Sequence, residues 1–113
     1  MPVFEIAGAR VTLAVCFDVH FLAAEASDLL RSVDVLLFAS AWVDEGPEDG
    51  RAPILAELAR SHGVTVANAN WGVGAPLVGG QGGSRFVWPD GTSLRVPEGA
   101  TRIDAIVAGR GAR

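Results

Sequence analysis

The only cysteine of the chain, Cys16, sits in the stretch ARVTLAVCFDVHF, where an apolar run ends on Cys16 and is followed at once by Asp18 and His20. A thiolate attacks electrophilic carbon, but a free thiol titrates near ~8.5 and needs a base or a cation beside it to react at neutral pH. Two readings of Cys16 follow. Free cysteine is among the most buried residue types, so composition alone favours a packing role. Its place at the C-terminal end of an apolar strand, before a polar turn into a helix, is where open α/β sheets hold ligands and where a helix N-terminus favours a thiolate. Asp18 and His20 are the nearest polar groups, and a Cys/His pair is a familiar nucleophile and base. They share one side with Cys16 only while the chain stays extended, and a helix begins within a few residues. A Cys16–His20 dyad is therefore the weaker arrangement.

Asn68 and Asn70 share one strand face and could donate or accept at the edge of a site, although loop capping explains an Asn as readily. Trp42 and Trp71 follow strand ends, where they could line a pocket or simply pack over the sheet edge. His62 closes a helix, a position the helix dipole favours for a cation. The segment GVGAPLVGGQGGS invites a phosphate-loop reading, but no Lys-Ser/Thr ending and no helical pattern follow it. Cys16 and His62 lack the spacing of metal ligands, so no metal centre is expected.

The elements that must position these residues are legible from periodicity. Val3 to Ile6 and Val11 to Cys16 read as strands joined by a tight turn at Ala7-Gly8-Ala9. The second is apolar at nearly every position, which predicts burial on both faces. Leu22, Ala26, Leu29, Leu30 and Val33 recur at helical spacing and predict one covering helix. Val35 to Ala39 is a strand, a polar loop with Gly46, Pro47 and Gly50 follows, and a helix with Pro53 in its first turn runs to His62 and Gly63. Val64 to Ala69 completes a βαβαβ run with mostly parallel strands and right-handed crossovers. Beyond the Gly-rich loop, Arg85 to Trp88 and Ser93 to Val96 flank a Pro89-Asp90-Gly91-Thr92 turn and predict a β-hairpin. Ile103 to Val107 is a candidate last strand, and Gly109 to Arg113 is expected to fray.

With 113 residues, half of them hydrophobic, the chain has the size of one α/β domain at most. Such a length leaves a thin stability margin if a packing partner is missing. The net charge of -4, scattered Arg residues and absence of Lys exclude the basic stripe that neutralises nucleic-acid phosphates. The longest apolar runs fall far short of the ~20 residues that span a bilayer. One cysteine forms no internal disulfide, and the first residues lack the pattern of a signal peptide, so a cytoplasmic location is expected.

Four stretches, in order, resemble the carbon–nitrogen hydrolase (nitrilase and aliphatic amidase) superfamily. They are VTLAVCFDVHF, with that family's strand, nucleophilic Cys and Cys-Tyr/Phe-Asp signature; DVLLFASAW; HGVTVANANWG; and GGSRFVWPDGTSL, with its Gly-x-Ser, strand, Pro-x-Gly and strand. The resemblance covers Val3 to about Val107. It implies part of an αββα sandwich, with strands and helices alternating and then a C-terminal β-hairpin.

It also implies thiol-dependent hydrolysis of a small amide or nitrile through a Cys16 acyl-enzyme. The Phe17 backbone N–H would be an oxyanion donor, Trp42, Asn70 and Trp71 would contact substrate, and no cofactor is needed. The family's catalytic Glu and Lys precede the Cys, whereas here fifteen residues precede Cys16 and no Lys is present. Leu22-Ala23 and Leu58-Ala59 also depart from the family's Pro-Glu and Arg-Ala. Residues 1–113 are thus expected to be a single partial domain, the C-terminal half, with the N-terminal half absent. An exposed sheet face would then be covered by a homo-oligomer or by a complementing N-terminal segment. A non-catalytic α/β module that binds a partner is the alternative.

Overall fold

The computed structural model describes residues 1–74 and 76–107. Six strands form one sheet in sequence order: β1 (Val3–Ile6), β2 (Ala9–Val15), β3 (Val35–Ser40), β4 (Thr65–Asn70), β5 (Arg85–Val87) and β6 (Ser93–Arg95). β2, β3 and β4 are parallel, while β1, β5 and β6 are added antiparallel at the two sides. The β1–β2 turn places Ala7 at φ 50° and Gly8 at φ 83°. Two positive φ values in a two-residue connection match the right-handed twist of a hairpin.

One face of the sheet is packed. α1 (Leu22–Glu25), α2 (Ser27–Ser32) and α3 (Arg51–His62) lie over it. Ala14, Leu36, Phe38, Val66 and Val87 from the strands form the core with Leu22, Leu30, Val33, Leu55, Leu58 and Ala59. α3 ends at Gly63, whose left-handed φ of 63° lets its N–H reach the Ala59 carbonyl.

The single helix expected over Leu22 to Val33 is divided. Ala26, at φ -130° and ψ 22°, separates α1 from α2. Ser27 then opens α2, with its hydroxyl held between His62 Nε2 at 3.2 Å and Arg31 Nη1 at 2.7 Å. A serine engaged sideways in this way suits a helix start better than its interior.

Burial on both faces of β2 is not observed. Leu13 and Val15 are 41% and 51% exposed, and Leu37 beside them on β3 is 41% exposed. Alternation puts these residues on the face away from the helices. The register continues it through Ala39, Ala67, Ala69 and Phe86, giving an apolar surface that no helix or strand of the described residues covers, although Thr101, Arg102 and Ile103 border a groove on it.

The candidate strand at Ile103 to Val107 is likewise absent. Pro97 and Gly99, with Gly99 at φ 81° and Ala100 N–H bonded to the Pro97 carbonyl, turn the chain off the β6 edge, and Ile106 is left 96% exposed. Gly109 to Arg113 lies outside the described residues.

Candidate active site

β2 does not run through Cys16. It stops at Val15, in extended conformation, and a 3-10 turn spans Cys16–His20. Cys16 itself has φ 50°. A non-glycine residue in the left-handed region costs on the order of 1–3 kcal/mol, and such residues persist where surrounding structure fixes them, often at functional sites. The sharp bend from strand to 3-10 turn lifts the thiol out of the sheet, and Cys16 is exposed. The packing role favoured by composition is therefore not the one the fold provides.

The Cys16 side chain borders a cavity of about 250 Å³ lined also by His20, Ser40, Ala41, Trp42 and Val43. Parallel pairing builds this cavity, because Val15 and Ala39 are register partners and β2 and β3 end side by side. A wider groove of about 850 Å³ runs beside Met1, α1 and α2 without reaching Cys16. Its size does not make it the reacting centre.

The floor of the Cys16 cavity is held by hydrogen bonds and ring packing. The Trp42 ring packs against His20 at a centroid distance of 5.5 Å, its Nε1 donates to Asp44 Oδ1 at 2.9 Å, and its carbonyl accepts from Trp71 Nε1 at 2.9 Å. Asn70 Oδ1 accepts from Ser40 Oγ at 2.8 Å and from Trp42 N–H at 3.0 Å. Asn70 Nδ2 donates to the carbonyls of Gly80 and Gly82 at 2.6 and 2.8 Å. All four hydrogen-bonding positions of that amide are occupied within the chain, so Asn70 ties the Gly-rich loop to the strand ends. Trp71 braces Trp42 from behind and is not among the cavity-lining residues.

Arg51 completes the scaffold. It is 1% exposed, and its guanidinium donates to Asn68 Oδ1 at 2.7 Å and to the Gly82 and Gly80 carbonyls at 2.9 and 3.3 Å. Burial first, and then the nearby Arg85 charge, pushes its pKa down to about 10 against the pull of Asp49 and Asp44. Asp49 pairs with Arg85 at 2.8 Å. Burial would raise its pKa, but Arg85, the Ala52 N–H and Arg51 together hold the carboxyl below the ordinary carboxylate value.

The structure thus brings Cys16, His20 and Trp42 to one cavity, with the Phe17 backbone in the first turn beside the thiol. Asn70 and Trp71 stand behind it. The sequence reading missed Arg51. One signal was available: an Arg in the first position of a helix opposes the helix dipole and so points to a specific partner. Among the described residues no cluster of His, Cys, Asp and Glu could hold a metal ion, and no helix is long and apolar enough to cross a membrane.

Comparison with solved structures places this architecture. A mutant of the amidase from Nesterenkonia sp. AN1, showing Michael addition of acrylamide at the active-site cysteine, superposes with a TM-score of 0.63 at 30% identity; the match covers 84% of this chain and 37% of that one. The chain has the fold of part of a carbon–nitrogen hydrolase domain. A glutamine-dependent NAD+ synthetase from Acinetobacter baumannii superposes at 0.70 with 25% identity, over 85% of this chain and 19% of that one. A CN-hydrolase superfamily protein from Xanthomonas campestris, with an arsenic adduct in its active site, shares the fold at 0.64 with 21% identity, over 86% and 40%.

The chain therefore spans well under half the length of these carbon–nitrogen hydrolase relatives. Neither a family model nor a curated protein matches the sequence.

Proposed function

We propose that the chain is the cysteine-bearing, C-terminal half of an amide- or nitrile-cleaving hydrolase. The observation that carries this reading is the exposed Cys16 thiol, lifted by a left-handed bend at the end of β2 onto a small cavity, in a carbon–nitrogen hydrolase fold. In the proposed reaction Cys16 Sγ bonds to the substrate carbon. For an amide, the C–N bond then breaks, ammonia leaves, and water cleaves the thioester to release the acid. The Phe17 N–H would meet the oxyanion, and preorganised donors of this kind are worth several kcal/mol of barrier. Trp42 would form the cavity wall against the substrate, with Asn70 and Trp71 holding it in place.

A proton acceptor for Cys16 and a cation at the oxyanion are assigned to a complementing segment that carries Glu and Lys, since the sequence has no Lys. The same segment, or a second copy, would cover the apolar face around Leu13, Val15 and Leu37. The complex of the Nesterenkonia amidase with butyramide makes short aliphatic amides the first substrates to try. The negative charge and the absence of a basic stripe support a small-molecule partner rather than nucleic acid, and a cytoplasmic setting is proposed from the lone cysteine.

The test is ammonia release from butyramide by the chain combined with a Glu- and Lys-bearing N-terminal segment, compared with its Cys16→Ser variant. Release that persists in Cys16→Ser removes Cys16 from the mechanism. A non-catalytic module is the second reading, favoured by the missing Lys. It requires that no complementing segment restore hydrolysis.

A further inference from the structure

The left-handed backbone of Cys16 needs a cause, and the glycine that would make it free is absent. Residues on both sides of the thiol are joined by one side chain. The Asp18 carboxylate, through Oδ2, accepts the backbone N–H of Val15 at 3.1 Å. Asp18 is the third residue after Val15, so the bond is the backward half of a capping box, with the acid closing onto the residue that precedes the 3-10 turn. The Asp18 carbonyl accepts the Phe21 N–H at 3.0 Å and closes the far end of the same turn. Cys16 and Phe17 are thus enclosed in a loop whose span is set by one hydrogen bond of ordinary length at the surface.

We propose that Asp18 is the positioning residue of the site: its carboxylate holds Cys16 in the left-handed conformation and so fixes the thiol and the Phe17 N–H relative to each other. This rests on the hydrolase reading for its catalytic consequence, but not for its geometric one. Asp18 acts through the backbone of Val15 and takes no proton from the thiol. Without the clamp, Cys16 is free to relax to negative φ, which turns Sγ away from the cavity. Displacements of about 1 Å at a reacting atom cost on the order of 100-fold in rate.

Three variants of the full chain separate the roles. Asp18→Asn keeps an oxygen acceptor and loses the charge, whereas Asp18→Ala loses both. Cys16→Gly accepts positive φ without cost. The scalar coupling between the Cys16 amide and Hα protons reports φ, and hydrogen exchange reports the Val15 N–H. In Asp18→Ala the coupling is expected to shift and Val15 exchange to accelerate about tenfold or more. Asp18→Asn should stay close to the parent on both readings. Cys16→Gly is expected to be more stable than the parent and to keep Val15 protected.

In the complemented enzyme, Asp18→Ala is expected to lower kcat about 100-fold with KM unchanged. An unshifted coupling and unchanged Val15 exchange in Asp18→Ala overturn the proposal whatever the enzyme does. A shifted coupling with unchanged kcat overturns its catalytic half. Failure of the parent to hydrolyse any amide defeats the hydrolase reading while leaving the coupling and exchange results standing.

Discussion

Arg51 and Asn68 meet in the interior, Nη1 to Oδ1 at 2.7 Å, one from the first residue of α3 and the other from the middle of β4. Asn68 passes the connection on, donating to the Phe38 carbonyl and to Ser40 Oγ, both at 3.0 Å. Ser40 in turn donates to Asn70. The floor of the Cys16 cavity is therefore tied by polar bonds to a buried cation in the helix layer, not only by apolar packing.

Replacing Arg51 with Met keeps apolar bulk but leaves the buried Asn68 oxygen without its donor and removes one of the two side chains that hold the Gly80 and Gly82 carbonyls. A buried group left unsatisfied costs about 1–3 kcal/mol. The urea midpoint is expected to fall by a corresponding amount, and the Gly82 N–H, bonded to the Trp71 carbonyl at 2.7 Å, to exchange faster. Arg51→Lys should recover little, because an ammonium cannot span the forked set of acceptors.

Gly80 has φ 94°, and a Cβ there would stand 2.6 Å from the Trp42 carbonyl oxygen and 2.8 Å from the Asp44 nitrogen. Gly8, at φ 83°, has open space at the same point. Gly8→Ala therefore carries backbone strain alone, on the order of 1 kcal/mol, whereas Gly80→Ala adds a collision with backbone that cannot move cheaply. Thermal unfolding should show the larger loss for Gly80→Ala. Trp42 fluorescence should change in that variant and not in Gly8→Ala.

Asp49 sets an acid limb to stability. Its folded pKa lies below the ordinary carboxylate value because Arg85 and the Ala52 N–H outweigh its burial. The unfolded chain then binds the proton more readily. The contribution is complete above the ordinary value and is lost as pH falls through the lowered folded one. Denaturation followed from neutral to strongly acidic pH is expected to show a shallower acid decline in Asp49→Asn than in the parent. An unchanged decline would mean that other carboxylates set it.

The fold was legible where local signals agreed. The βαβαβ run, the Gly63 helix end and the Asp90-Gly91 hairpin each follow from periodicity or turn chemistry. Two features were not. Alternation does not reveal whether a second layer covers an apolar strand face, so Leu13 and Val15 read as buried. Helical spacing from Leu22 to Val33 hides the break at Ala26, where the next residue, Ser27, is bonded to His62 on a distant helix.

Within the site, Cys16 and Trp42 stood out by type and place. Asp18 was noticed as a polar neighbour of the thiol, but its bond back to Val15 depends on the turn that it helps to close. Arg51 carried only the signal of a cation at a helix start, and its partners, which come from β4 and the Gly-rich loop, were not legible.

The central claim is that Cys16 is the nucleophile of a split amide-cleaving site. The direct measurement is the intact mass of the complemented chain, quenched in acid during turnover of a short aliphatic amide, with ammonia release followed in parallel. The account predicts an acyl adduct on Cys16 and steady ammonia release, both abolished in Cys16→Ser. Ammonia release of equal rate from Cys16→Ser would contradict it.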